Sequence, residues 1–143
     1  MNHDADVERL VRFYETMSRD TLAEQLGQVY AADAWFKDPF NEVRGIGAIR
    51  TIFEHMFEQV EQARFVVSER MVQGEQAFLT WEFHFRHRRI GDGAVCIRGA
   101  SHLRFGANGL VTLHRDYWDA AEELYEKIPL LGALMRWLKR SAN

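Results

Sequence analysis

Near Ala63 the spacing of apolar residues changes from three-or-four to two, which splits the chain into a helical part and a strand part. Before it, Val7, Leu10, Val11, Tyr14 and Met17 form one stripe and predict a helix over Asp6 to Ser18. A second short helix is expected over Thr21 to Gly27, with Asp20 as its N-cap. A short strand is expected over 34 to 38. Ile46, Ile49, Ile52, Phe53, Met56, Phe57 and Val60 then predict a helix over Gly45 to Gln62. Beyond Ala63, Phe65–Val72, Ala77–Arg89, Val95–Phe105 and Leu110–Trp118 read as strands, separated by Gly74, Gly91-Asp92-Gly93 and Asn108-Gly109. A last helical segment covers Ala120 to Lys127 and, after Pro129, Leu130 to Arg140. The linking loops are too short for parallel crossovers, so the pattern is α+β rather than βαβ. The expected architecture is one domain over 1–143: a curved antiparallel sheet wrapped around three N-terminal helices, with a C-terminal helix.

Loop length sets hairpin register. Asn108-Gly109 as a two-residue turn pairs Phe105 with Thr112, Leu103 with His114, Ser101 with Asp116 and Gly99 with Trp118. Gly91-Asp92-Gly93 as a three-residue loop pairs Ile90 with Ala94, hence Phe85 with Gly99, Phe83 with Ser101 and Trp81 with Leu103. One face then carries Trp81, Phe83, Phe85, Ser101, Leu103, Phe105, His114, Asp116 and Trp118. The other carries Glu82, His84, Arg86, Arg88, Arg98, His102, Arg104, Arg115 and Tyr117. The first face is apolar except for Ser101, His114 and Asp116. Buried ionisable groups are costly unless paired. Two readings follow: a satisfied structural pair, or a polar patch at the floor of a cavity where acid and base groups do chemistry.

Asp38 precedes Pro39, which moves it out of the helical region and places it beside a bend. Flanked by Phe36 and Phe40, it is either a turn residue bonding its own backbone or a carboxylate at the edge of an apolar pocket.

With 143 residues, 47% of them hydrophobic, the chain can bury a core without staples. One cysteine, Cys96, forbids an internal disulfide. An acidic beginning does not read as a signal peptide, and no apolar run reaches membrane-span length, so the expected location is cytoplasmic without stable membrane insertion. A net charge of −3 gives no pull toward nucleic acid. The six histidines form no close ligand motif, so neither metal nor other cofactor is expected. Glu82 and the acidic helices dilute the nucleic-acid signal of the outer-face arginines, so a homodimer through that face is expected, with a polar interface or one limited to part of the sheet. The tail 130–140, apolar on one side and basic on the other, is expected to cap a pocket mouth or pack on a partner subunit; membrane-surface contact is the sharper alternative.

The order helix-helix-strand-helix-meander resembles the nuclear transport factor 2-like superfamily, a cone-shaped fold around one deep pocket. The stretch Tyr30-Ala31-Ala32-Asp33-Ala34-Trp35-Phe36-Lys37-Asp38-Pro39-Phe40, followed by Gly45, is similar to the segment of bacterial ketosteroid isomerases that carries their catalytic aspartate. It is similar as well to the SnoaL-like group, which includes polyketide cyclases. The resemblance implies a pocket for a small apolar or polycyclic ligand and proton-transfer chemistry of the isomerase, cyclase or dehydratase type. It puts Asp38 on the general base and Tyr14 near the phenol that donates to an oxyanion. The isomerases' second donor, an aspartate, is Ser101 here, while His114 and Asp116 stand on the next strand. The candidate catalytic set is therefore Asp38, His114, Asp116 and Tyr14. The candidate lining is Tyr30, Trp35, Phe36, Trp81, Phe83, Ser101, Leu103 and Trp118. A non-catalytic ligand-binding or dimerisation module of the same fold is the alternative.

Overall fold

A computed structural model describes residues 3–87, 93–125, 137 and 140. The order is α1 (Asp4–Thr16), α2 (Leu22–Val29), β1 (Tyr30–Lys37), β2 (Glu42–Arg44), α3 (Ile46–Gln59), β3 (Glu61–Gln73), β4 (Gln76–Arg86), β5 (Ala94–Phe105), β6 (Val111–Tyr117) and α4 (Ala120–Glu123). The expected stripe on α1 is buried at Val7, Leu10, Val11 and Tyr14, and Asp4 and Asp6 sit where the helix dipole favours negative charge. α2 starts one residue later than expected: Thr21, not Asp20, is its N-cap, and Gly27 lies inside it. α3 buries Ile49 and Phe53. The tail at 130–140 lies, apart from 137 and 140, outside the described residues.

The strands form one curved, unclosed six-stranded sheet in the order β2-β1-β6-β5-β4-β3. β3 to β6 are the anticipated antiparallel meander. Two additions correct the expectation of a purely antiparallel sheet. β2 is a three-residue strand that doubles back on β1. β1 runs parallel to β6, pairing Phe36 with His114 and Lys37 with Arg115. No local crossover is needed, because the whole meander separates these two strands in the chain.

The β5–β6 register follows the expectation through Leu103–His114 and Ser101–Asp116. Near the turn a bulge sets Phe105 opposite Val111 instead of Thr112, leaving Thr112 as the extra residue. The β4–β5 register differs by four residues: Phe85 faces Val95, Phe83 faces Ile97, and Trp81 faces Gly99. The pairing closes with Arg86 opposite Ala94, so the connection is longer than the Gly91-Asp92-Gly93 turn assumed from sequence. A slip of four is even, so every side chain stays on its anticipated face. Trp81, Phe83, Phe85, Val95, Ile97, Leu103 and Phe105 are buried against the helices. Each such side chain contributes roughly 1.5–3 kcal/mol relative to leaving it in water.

Gly99 is required by close approach. A Cβ there would lie 2.6 Å from Cζ2 and Cη2 of Trp81 and 3.1 Å from Cβ of Trp118. The bare backbone lets the Trp81 ring lie across β5 and reach Ser101. Gly99→Ala is expected to destabilise the fold by about 1–3 kcal/mol in urea unfolding, the cost of forcing a packed ring aside. An unchanged midpoint would show that the ring is not held there.

Candidate functional site

Six side chains join in one hydrogen-bonded chain across the inner face of the sheet. His114 and Asp116 are alternate residues of β6 and so share a face. Ser101 stands opposite Asp116 on β5. Trp81 comes from β4, Tyr14 from the last turn of α1, and Tyr30 is the first residue of β1, where its backbone N–H also closes α2 on the Leu26 carbonyl.

The bonds run from the apolar interior outward. The Tyr14 and Tyr30 hydroxyls are 2.7 Å apart, and lie 2.9 and 2.7 Å from Nδ1 of His114. On the other side of the ring, Nε2 lies 2.6 Å from Oδ1 of Asp116. Ser101 Oγ donates to that same Oδ1 at 2.5 Å, and Trp81 Nε1–H donates to Ser101 Oγ at 2.8 Å. Phe36 packs edge-on against the imidazole at 4.8 Å, and the Tyr30 ring lies parallel to it. Burial pushes both phenols far above the usual phenol range. For Tyr14, the neighbouring Tyr30 and the Asp116 charge add to the effect; for Tyr30 the Asp116 charge adds and the Tyr14 hydrogen bond opposes. Both hydroxyls therefore keep their protons, so one can donate to the other while that one donates to Nδ1. In that arrangement the ring proton is on Nε2 and points at Asp116.

Beside this chain lies a narrow cavity of about 30 Å³, lined by Tyr14, Phe53, Phe65, Val67, Trp81, Ser101, His114 and Asp116. That is room for about one water-sized group. A wider open groove of about 580 Å³ lies at the end of the sheet, bounded by Lys37, Asp38, Pro39, Arg115, Asp116, Tyr117, Trp118 and Asp119. Among the residues lining the two, Asp116 belongs to both.

The candidates drawn from sequence divide accordingly. Tyr14, His114, Asp116, Ser101, Trp81 and Tyr30 come together, and Phe36 backs them. Phe83 and Leu103 are buried in the core without lining the cavity, and Trp118 lines the groove. Trp35 must be corrected. It pairs with Leu113 and is the neighbour of inward-facing Phe36, so alternation puts it on the outer face. Asp38 lies at the groove rim, tied into the β1–β2 turn. Its Oδ1 accepts from Phe40 N–H at 2.8 Å and Asn41 N–H at 2.7 Å, and the Asn41 side-chain amide reaches Oδ2 at 3.2 Å. The bonds of the turn alternative are made, and the same carboxyl group lines the groove. Phe53, Phe65 and Val67 were not anticipated as cavity walls. Phe53 carried a signal as part of the buried α3 stripe. Phe65 and Val67 depended on β3 pairing, in which Phe65 faces Phe83 and Val67 faces Trp81.

A family model described as SnoaL-like domain matches residues 10–114, most of the chain. The chain belongs to the SnoaL-like domain family. The match takes in Tyr14, Tyr30, Ser101 and His114 and stops two residues short of Asp116. Solved structures agree with this SnoaL-like domain in fold. One is a hypothetical protein with a ketosteroid isomerase-like fold from Catenulispora acidiphila, crystallised with trimethylamine: TM-score 0.73, 14% identity, 89% of this chain and 94% of that one. Another is an NTF2-like protein of unknown function from Burkholderia pseudomallei: TM-score 0.72, 18% identity, 90% and 98% covered. A third is an LEH-like epoxide hydrolase from M. tuberculosis: TM-score 0.68, 13% identity, 96% and 91% covered. No match was found among curated proteins. Identities this low carry the fold and not the chemistry.

The two tyrosines offer a direct test of the network. Tyr14→Phe or Tyr30→Phe alone breaks the bond between the hydroxyls but leaves one hydroxyl on Nδ1, and each is expected to cost about 1 kcal/mol. The double variant leaves the buried Nδ1 unpaired and is expected to cost about 1–3 kcal/mol more than either single one in urea unfolding. A double variant as stable as a single one would show that the hydroxyls do not share one acceptor.

Proposed function

We propose that this SnoaL-like domain is a small-molecule enzyme that moves a proton on an organic substrate, with Asp116 as the general base. The observation that carries the reading is the position of one carboxyl group between the inner network and the groove. Both hydrogen bonds to Asp116, from His114 and from Ser101, fall on Oδ1. They fix the carboxylate plane and leave Oδ2 to take a proton from a substrate in the groove. A positioned carboxylate of this kind typically supplies about 10²–10⁴-fold in rate.

The tyrosine pair supports the second half of such a reaction. Two hydroxyls share one acceptor nitrogen, so Tyr30 alone can hold His114 in its tautomer. Tyr14, which lines the cavity, is then able to donate to a substrate oxygen as negative charge develops there. A carbonyl oxygen matches the water-sized cavity, while the rest of the molecule, a ring system included, occupies the groove. Asp116 then returns the proton at a second carbon, as in isomerisation or cyclisation, or to a departing hydroxyl, as in dehydration. Asp38, whose carboxyl oxygens are engaged by turn donors, shapes the rim and is not the base in this reading.

A second reading, a module that holds a ligand without turning it over, is favoured by the internal pairing of the network and the small cavity. Deuterium exchange separates the two. In D2O with 2-cyclohexenone as probe, proton NMR should show exchange next to the carbonyl faster than in buffer. Asp116→Asn should lower that excess by about 10²–10⁴-fold, and Asp38→Asn should leave it nearly intact. Saturable binding with no excess exchange would favour the module; exchange that survives Asp116→Asn would remove Asp116 as the base.

A further inference from the structure

On the opposite face of the sheet, Glu82, His84 and Cys96 bring a carboxylate oxygen, an imidazole nitrogen and a sulfur to within 4.8 Å of one another. The ladder creates this cluster. Glu82 and His84 are alternate residues of β4 and share its outer face. Cys96 is the direct register partner of His84 across the β4–β5 pair. In the register expected from sequence, His84 would have faced Ala100 and Cys96 would have faced Arg88, so the three could not have met.

The geometry points to a site for a single zinc-class divalent cation held by Glu82, His84 and Cys96, separate from the inner network and independent of the proposed proton transfer. His84 Nε2 is 2.9 Å from Glu82 Oε1 and 3.9 Å from Cys96 Sγ. Tetrahedral zinc, with bonds of about 2.0–2.3 Å, places its ligand atoms roughly 3.3–3.8 Å apart. Shifts of about 1 Å or less in these side chains bring His84 to that spacing from both partners, within the reach of ordinary side-chain rotation.

The donor set selects the ion. Magnesium and calcium take all-oxygen shells, whereas one thiolate, one imidazole and one carboxylate suit zinc and leave a fourth position to water. The protons are accounted for. The metal takes the place of the hydrogen between His84 and Glu82, the imidazole proton moves to Nδ1, and the thiol proton goes to solvent. All three side chains are half-buried, so they are partly ordered yet open to an incoming ion. Two ladder cations flank the site, and the Arg98 charge lies within electrostatic range of Cys96. Arg98, opposite Glu82, donates through Nε to Glu123 at 2.9 Å, and Arg64, opposite His84 on β3, is exposed.

Cobalt(II) titration of the full chain tests this. Expected is a sulfur-to-cobalt charge-transfer band with tetrahedral visible bands, saturating at one ion per chain and displaced by zinc. Cys96→Ser should abolish the charge-transfer band. His84→Ala and Glu82→Gln should each weaken binding by about tenfold or more, since even outer-shell partners are worth that much. His114→Ala should leave the titration unchanged. Far-ultraviolet circular dichroism confirms that each variant is folded. No charge-transfer band, a band that persists equally in His84→Ala and Glu82→Gln, or loss of the band in His114→Ala would overturn the assignment. Because the readout does not involve turnover, it stands or falls separately from the proposed reaction.

Discussion

The hydrogen bond between His114 and Asp116 inside the sheet is the constraint to which the rest of the molecule is fitted. A buried imidazole beside a carboxylate is costly unless every polar atom finds a partner. Here the partners come from four other elements. Tyr14 on α1 and Tyr30 at the head of β1 satisfy Nδ1, Ser101 on β5 shares Oδ1, and Trp81 on β4 completes the chain. Gly99 exists as glycine because a side chain would collide with the Trp81 ring that closes the network. The parallel pairing of β1 with β6 has the same purpose, since it sets Phe36 against the imidazole.

This arrangement links fold to chemistry through direction. The network is driest at the tyrosines and wettest at Asp116, whose side chain is 18% exposed and opens on the groove. A carboxylate tethered by one oxygen and open at the other is suited to accepting a proton in a fixed orientation. The SnoaL-like and NTF2-like scaffold leaves the reaction open, because what the fold provides is a concave sheet against helices. In the proposed reaction, the residues at 101, 114 and 116 set what can happen there.

Much of this was legible in the chain. The change of apolar period at Ala63 gave the α+β class, and alternation gave the inward placement of Ser101, His114 and Asp116. That placement survived a four-residue error in the β4–β5 register because side-chain direction repeats every two residues. The same rule exposes the failure at Trp35, since Trp35 and Phe36 are adjacent in a strand and cannot face one pocket together. The β1–β6 pairing was hidden because nothing local marks a contact between residues about eighty positions apart. β2 was hidden because three residues carry too little pattern. The Glu82–His84–Cys96 cluster depends wholly on register, which a loop of misjudged length had concealed. Asp38 drew attention by resemblance, while the Asp-Pro turn chemistry beside it was the better guide to its bonds.

The tautomer of one ring tests the account most directly. Long-range nitrogen–proton NMR of the six histidines, with His114 assigned by its loss in His114→Gln, reports which ring nitrogen carries hydrogen. The account predicts a neutral His114 with a bare Nδ1 and a slowly exchanging proton on Nε2, shifted downfield by its bond to Asp116. A ring protonated on Nδ1 at neutral pH, or one whose proton exchanges as fast as that of a solvated imidazole, would contradict it.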